Sequence, residues 1–554
     1  MPTAYTYPGV YVEELPSSVR SIIGVGTSIT AFVGRALKGP TDKATLIHSF
    51  ADYTRIFGGL WTKSNMSYAV YQYFQNGGVD AIIVRVVATK NSNAKTPPTE
   101  PAMPATFTLH YTTTKAPAEK ASAEKAVEEL KATGFKLKAA NPGLWGEKLD
   151  IVLSDADEEK KEQDEDPTYF NIAIYQKIAS DEPGPMLEMF RNVSLDPEKP
   201  RFIGKILVDG VSAYLRVACE NKDLPPKLVF DNSKPEKNPK YVLNAGASDG
   251  AELTSQMVVG DEDAKTGMYA LKDADLFNLL CIPAYSESDN DRKVTYAAAL
   301  KFCNDKRAIL LVDPPAGTID SWNSTAKVLE NINEYIDRDK NGAIFFPRIV
   351  APDPLEEYRL KEFDPCGVVA GVIARTDAQR GVWKAPAGIE AVLSGVPDLA
   401  VRLTNEQNGE LNPKGVNCLR IFPDVGRVIW GSRTLRGADS LTDQWKYLSV
   451  RRTALYIEET LFRGTQWVVF EPNDERLWAQ IRLNIGAFMH SLFVKGAFQG
   501  SDPKQAYLVK CDSETTTQTD IDAGIVNILV GFAPLKPAEF VVLKIQQLAG
   551  QELE

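Results

Sequence analysis

The stretch from Asp520 to Gln547, DIDAGIVNILVGFAPLKPAEFVVLKIQQ, constrains the fold more than any other. Ile525 to Phe532 is an apolar run of strand length, bounded by Gly524 and Pro534. Pro534 and Pro537 then interrupt any helix or ladder, because proline fixes φ and lacks an N–H. Phe540 to Gln546 alternates, with Val541, Leu543 and Ile545 on one face and Phe540, Val542 and Lys544 on the other. Only Leu548 to Glu554 follows, so a strand on this tether has no sequential hairpin partner. It must pair with a distant part of its own chain or with another molecule, since open strand edges recruit strands.

The other end offers a similar element. YTYPGVYVEE (Tyr5 to Glu14) places Tyr5, Tyr7 and Tyr11 on one face and Val10 and Val12 on the other. Pro8 and Gly9 confine it to an edge or a bulge, and a second tether, Leu15-Pro16-Ser17-Ser18, follows. The hinges are therefore Pro16, Pro534 and Pro537. Two tethered terminal strands fit subunits joined by strand addition, or termini that pair within one subunit.

Between these ends, 554 residues are too many for one core. A 44% hydrophobic and 24% charged composition is that of a globular chain. The net charge of −11 argues against nucleic-acid binding over the whole surface. No secretory signal is visible, and no apolar run approaches the roughly 18 residues of a membrane span. Cysteines 219, 281, 303, 366, 418 and 511 are scattered without a CxxC, as expected for reduced thiols in a protein made in the cytoplasm.

Taken in order, Ser28 to Val33 reads as a strand and Ser49 to Gly59 as a capped short helix. Tyr68 to Phe74 reads as helix and Ala81 to Val87 as buried strand, across an Asn76-Gly77-Gly78 turn. Thr89 to Lys120 is polar and proline-rich, hence a linker. Ala118 to Ala132, rich in Ala, Glu and Lys, predicts a helix, and the acidic run Asp155 to Asp166 a solvated loop. Short strands dominate from Tyr169 to Phe230. Strand–helix alternation resumes with Asp275 to Tyr285, Arg292 to Asn304, Ala308 to Pro315, Ala326 to Ile336 and Ala343 to Pro354, which implies parallel pairing covered by helices. Val450, Ala454, Ile457 and Leu461 recur at helical spacing; so do Leu477, Ile481, Ile485, Phe488 and Leu492, behind an Asn473-Asp474 cap. Ala506 to Asp512 reads as a strand.

The fold class is α/β and α+β multidomain. The divisions are an N-terminal strand arm (1–22), an α/β core in two parts (23–90 and 251–430), a linker with a β-rich insertion (91–250), a C-terminal domain (431–532) and a C-terminal arm (533–554).

Several strings imitate catalytic motifs. GASDG (Gly246 to Gly250) fits G-x-S-x-G, but AELTSQ follows it, and only His48, His110 and His490 could serve as base. DRDKNG (Asp337 to Gly342) opens like an EF-hand loop, yet Arg348 stands where the bidentate glutamate belongs. GVGTSI at Gly24 has Ile29 in place of the third glycine. No catalytic residue, metal site or cofactor is expected.

A resemblance rests on particular residues. YPGVYVEE (Tyr7 to Glu14), FGG with GGVDAIIVRV (Gly77 to Val86), PGLWGEKL (Pro142 to Leu149), LLCIPAY (Leu279 to Tyr285) and ILLVDPP all contribute. VAGVIARTDAQRGVWKAPAG (Val369 to Gly388) is the densest match. WGSRTL (Trp430 to Leu435), YLSVRRTALYIEETL (Tyr447 to Leu461), FEPNDERLW (Phe470 to Trp478) and the Cys511 to Gln546 region complete it. On these the chain resembles a contractile tail sheath protein, of the kind found in myophages, R-type bacteriocins and contractile injection systems. Residues 91–140 and 155–245 match poorly, as variable outward insertions do.

The resemblance implies a structural subunit that stacks in rings around an inner tube and contracts to drive that tube through a target envelope. Partners would be neighbouring sheath subunits, the tube protein, and baseplate and terminal cap proteins, with no nucleic acid and no membrane insertion. Assembly would occur in the cytoplasm of the producing cell, with release by lysis. The α/β core would lie near the tube and the insertion would face outward. Tyr7, Val10, Tyr11, Val12, Phe540, Val541, Val542, Leu543 and Ile545 would form the inter-subunit strands. Arg451 and Arg452, on the polar side of their helix, would meet an acidic tube together with Lys446, or else be solvated or pair internally with Glu458 or Glu459. The alternatives are a baseplate- or cap-associated relative of the sheath, or an α/β hydrolase.

Overall fold

The computed structural model describes residues 21–88, 100–113, 129–156, 169–178, 183–218, 228, 230, 238–244, 246–286, 289–315 and 322–543. The strand expected over Tyr5 to Glu14, its Pro16 tether, Cys219, Ile545 and most of the acidic run lie outside these residues.

The first α/β unit comprises β1 (Thr30–Gly34), β2 (Thr45–Ile47), α1 (Phe50–Phe57), α2 (Asn65–Gln75) and β3 (Ala81–Arg85). Seven strands follow: β4 (Thr106–Thr113), β5 (Glu129–Ala139), β6 (Leu149–Asp155), β7 (Tyr169–Lys177), β8 (Pro183–Ser194), β9 (Leu215–Val217) and β10 (Lys240–Asn244). Alternation then returns with β11 (Leu279–Cys281), α3 (Asp289–Asp305), β12 (Ile309–Val312), α4 (Thr325–Tyr335) and β13 (Gly342–Phe346). After β14 (Ile349–Asp353) and β15 (Arg359–Phe363) come α5 (Cys366–Arg380), β16 (Asp398–Leu399), α6 (Asn405–Leu411), β17 (Val416–Phe422) and β18 (Gly426–Ile429). The C-terminal part holds α7 (Leu448–Gly464), α8 (Glu475–Val494), β19 (Tyr507–Lys510) and β20 (Leu529–Phe532).

One sheet of eight strands, ordered β18-β17-β13-β12-β11-β1-β3-β2, unites both ends of the α/β sequence. Its interior pairs are parallel, and antiparallel β2 and β18 close the edges. The strands TAFVG, AIIVR, ILLV and GAIFF are buried at every position, as a sheet covered on both faces requires. Phe32, Ile83, Leu311 and Phe345 face α2 and α5. Ala31, Val33, Leu310 and Ile344 face the other layer, with Tyr296 of α3 and Val328 and Ile332 of α4. Each large apolar side chain so buried contributes about 1.5–3 kcal/mol. Helices α2 and α5 cross closely because α5 carries glycines: a Cβ at Gly371 would lie 2.6 Å from the Tyr73 carbonyl oxygen.

The interposed strands form two further sheets, β10-β4-β5-β9 and β6-β7-β8, over a shared core that includes Phe107, Phe135, Leu137, Ile151 and Ile172. Residues 129–132, within the helix expected over Ala118 to Ala132, belong instead to β5. Pairing with β4 overrides their helical propensity, and the strand continues into FKLKA, which β9 also flanks and whose Phe135, Leu137 and Ala139 point inward. The two ends of this region meet. The Ala102 N–H donates to the Ala88 carbonyl at 2.7 Å, and the Ala251 N–H to that of Glu100 at 2.9 Å. Gly250, at φ +76°, fits between them; a Cβ there would lie 2.8 Å from the Ala102 nitrogen.

The single strand expected over Ala343 to Pro354 is two. β13 lies in the large sheet, whereas β14 pairs with β15 and β16 in a separate one, the break falling at Pro347, which cannot donate to a ladder.

In parallel α/β sheets ligands bind beyond the carboxyl ends of the strands where the strand order reverses, here between β1 and β11. That crevice is filled by the start of α2. Ser64 Oγ donates to the Arg35 carbonyl, and Asn65 Nδ2 to that of Ala284 at 2.7 Å.

Next to it lies a buried charged cluster. Asp313, just past β12, accepts the Cys366 N–H on Oδ1 at 2.8 Å, while its buried Oδ2 has no partner. Arg292 and Asp364 are buried nearby, with Asp364 paired to Arg348. Burial first, and the Asp364 charge second, push the Asp313 carboxyl up to about 8, against the Cys366 hydrogen bond and Arg292, which pull it down. The folded chain thus binds this proton more tightly than an unfolded one, whose aspartate titrates near 3.8. The stabilisation is complete below the unfolded value and is lost as pH rises through about 8. Melting temperature should therefore fall from about pH 5 to about pH 9, by the equivalent of a few kcal/mol. Asp313→Asn should flatten that slope; an unchanged slope would remove Asp313 as its source.

Candidate subunit-joining site

Helix α8 builds the C-terminal domain. Asp474 caps it, Oδ1 accepting the Leu477 N–H at 3.0 Å, and Leu477, Ile481, Ile485, Phe488 and Leu492 are all buried. Against it lies a two-stranded sheet in which β19 and β20 pair Tyr507 with Phe532 and Lys510 with Leu529. No third described strand flanks either member, and Leu508 and Leu529 are exposed.

From β20 the chain runs along this sheet. Ala533 donates to the Ala506 carbonyl and accepts from the Gln499 N–H, and Pro534 bridges to Phe498. The segment through Pro537 then reaches Glu539, whose carboxylate grips Arg433 in a bidentate pair at 2.7 and 2.6 Å. The Arg433 side chain is fully buried. Its Nη1 also donates to the carbonyls of Asn412 and Gly437 and to Asp439 Oδ1, at 2.9–3.1 Å. Burial opposes the charge, but the Glu539 hydrogen bonds and the Glu539 and Asp439 charges outweigh it and hold the guanidinium above its ordinary range. Lys446 pairs with Asp439 at 2.7 Å and lies 3.8 Å from Glu539. Beyond this anchor Phe540, Val541, Val542 and Leu543 are 75–82% exposed and belong to no described strand.

Of the arrangements open to the α7 arginines, internal pairing is the one found, with Glu458 for Arg451 as expected and with Asp377, an acid of another helix, for Arg452. Arg451 and Arg452 are both buried. Arg451 donates to Asn341 Oδ1 at 2.9 Å, pairs with Glu458 at 3.2 Å and lies over the Trp445 ring. Arg452 makes a bidentate pair with Asp377 of α5 at 2.9 and 2.5 Å and donates to the Thr27 carbonyl. With both guanidinium groups spent inside the subunit, neither is available to a tube. Lys446, partly exposed, remains at the surface.

The catalytic lookalikes are structural. Ser248 sits in a turn, exchanging backbone hydrogen bonds with Met103, and its Oγ accepts the Gly250 N–H at 3.0 Å. His48 pairs with Asp80, and His490 lies 3.3 Å from the Tyr507 hydroxyl. Among the described residues there is no cluster of metal-ligating side chains and no helix long and apolar enough to cross a membrane. The Arg433–Glu539 anchor escaped sequence reasoning, since its partners are 106 residues apart and nothing in the strings that hold them marks them as a pair.

Comparison with known proteins follows this geometry. A model of the phage tail sheath protein central domain matches residues 258–435, and one of the phage tail sheath C-terminal domain matches 440–547. A Pseudomonas aeruginosa (strain UCBPP-PA14) protein described as a prophage major tail sheath protein is 24% identical over 304 residues, 53% of this chain and 72% of that one. The helical sheath of the anti-feeding prophage in its contracted state superposes with a TM-score of 0.54 at 23% identity, covering 98% of this chain and 100% of that one. The contracted sheath of an extracellular contractile injection system, PVC, gives 0.55 at 20% identity, covering 98% of each chain. The two domain models together span just over half of the chain, which belongs to the phage tail sheath protein family as a structural sheath subunit.

Proposed function

We propose that this subunit polymerises into a helical sheath around an inner tube, contracts to drive the tube through a target envelope, and does no chemistry. One observation carries the assembly reading: a two-stranded sheet that no third described strand flanks stands beside a tether leading to four exposed apolar residues, Phe540 to Leu543. Neither has a further strand partner among the described residues, and strand addition between copies would provide one. A head-to-tail contact whose rotation does not close generates a filament, and a strand passed from copy to copy is such a contact when the rotation stays open. The Pro534 and Pro537 hinges keep such strands linked while the bodies of neighbouring subunits change packing. The Tyr7, Val10, Tyr11 and Val12 strand would enter the same shared sheet. The blocked crevice between β1 and β11 supports the absence of catalysis.

Electron microscopy tests this reading. Purified wild-type and Ser248→Ala chains should both form long hollow cylinders, because Ser248 serves only a turn. A wild-type chain that stays dispersed at high concentration would overturn the sheath assignment; loss of cylinders in a normally folded Ser248→Ala chain would reopen the hydrolase.

A further inference from the structure

The loop between α7 and α8, part of the FEPNDERLW string, carries a feature the arms do not explain. Phe470 is fully exposed at φ +70°, a left-handed conformation rare for an aromatic residue. Val469 beside it is 60% exposed. The loop is braced. Glu471 N–H donates to the Val468 carbonyl at 3.1 Å, and Asn473 takes the Trp478 indole N–H at 2.8 Å while donating to the Ile525 carbonyl at 3.0 Å. The ring is therefore held out by a fixed backbone, and the exposed Glu471 carboxylate next to it forms no ion pair with a described residue.

Away from this loop, beside the C-terminal tether, is a groove of about 970 Å³, walled by Trp383 and Trp430 and by Leu535 to Phe540 of the tether itself. That is room for a loop tip rather than one side chain. Arg420 lines it and is 9% exposed. Its Nη1 donates to Asn405 and its Nη2 to the Leu403 carbonyl, while Nε and the nearby Ser432 Oγ are buried without partners. Lys495 and Lys536 stand exposed at the rim. Aromatic walls beside the Arg420 charge and the exposed rim lysines fit an occupant with an apolar ring and an adjacent carboxylate.

We infer that Val469-Phe470-Glu471 of one subunit seats in the Trp383–Trp430–Arg420 groove of a second copy, the ring between the tryptophans and the carboxylate toward Arg420 and the rim lysines. Tip and groove are different patches, so the contact is heterologous and can repeat from copy to copy, around a ring or along a filament. The braced loop lowers the ordering cost of binding. This inference rests on the polymer reading above.

Cysteine pairing tests it. The native cysteines among the described residues are all buried, and an added Cβ at Gly409, in the groove wall, meets nothing within 4 Å. Val469→Cys and Gly409→Cys chains, made separately, mixed, assembled and mildly oxidised, should give a covalent dimer that neither gives alone. The double variant should give a ladder. Normal cylinders without that dimer overturn the contact and leave the polymer standing; a wild-type chain that forms no cylinders removes the polymer reading instead. A Gly409→Cys dimer formed with Val12→Cys in place of Val469→Cys assigns the groove to the N-terminal segment and overturns the inference. Phe470→Ser, with its melting temperature retained, should raise the concentration needed for assembly about tenfold or more. An unchanged threshold counts against it.

Discussion

A chain ending at Glu539 is expected to melt like the full-length protein and to form no cylinders. The residues removed contribute nothing to a described core: Phe540 to Leu543 are exposed apolar side chains outside any strand. The residue kept, Glu539, retains both hydrogen bonds to the buried Arg433. A second truncation, ending at Lys536, separates anchoring from joining. It strips Arg433 of its bidentate partner and leaves Asp439 as its remaining acid. Removing one partner of a buried pair costs about 3–5 kcal/mol when nothing compensates, so with Asp439 in place the loss should be smaller but measurable. The shorter chain should therefore melt lower, and both should stay monomeric or form small oligomers by light scattering. Removal of residues 1–14 should likewise spare the fold and abolish cylinders. If the chain ending at Glu539 still gives contractile cylinders, strand addition by this arm is wrong and side-chain contacts must hold the lattice.

Asp377→Ala should unfold the core rather than release a tube. The Arg452 and Asp377 side chains are 3% and 2% exposed, and their pair joins α7 to α5. The same guanidinium holds the Thr27 carbonyl just before β1. Without Asp377 the charge keeps one carbonyl and no acid, a loss of about 3–5 kcal/mol, a large share of a domain's whole stability. Arg451→Glu combined with Arg452→Glu should do worse, by setting carboxylates against Asp377 and Glu458, and the product should be insoluble at low and high salt alike. Chemical denaturation of Asp377→Ala measures the first effect. A wild-type midpoint there, or a folded double variant that merely fails to hold a tube, would restore these arginines to the surface role expected from helical periodicity.

That contrast shows where the sequence was legible. α8 could be read because its apolar spacing and the Asp474 cap are local signals that agree. In α7 the same reading located Val450, Ala454 and Ile457 but left Arg451 and Arg452 on a polar face. Periodicity reports which face is apolar, and it cannot report that the other face is buried against acids from distant elements. Helix α5 gave no period because Cys366 to Ala374 is buried all round. β5 was misread at its start, where composition favours helix and only pairing with β4 decides otherwise. The prolines at 534 and 537 flagged the C-terminal tether, but nothing local flagged the Arg433–Glu539 pair that anchors it.

The meeting of Ala88, Ala102 and Gly250 has a consequence for how such a chain can change. Seen from the large sheet, residues 103–249 form a side branch that leaves and returns at one point. Closure entropy grows only with the logarithm of loop length, so doubling the branch costs about 0.6 kcal/mol. A foreign domain with neighbouring termini could be spliced there, or the branch cut to a short glycine bridge, without moving β1 relative to β11. The branch and the large sheet can then diversify at separate rates within one polypeptide.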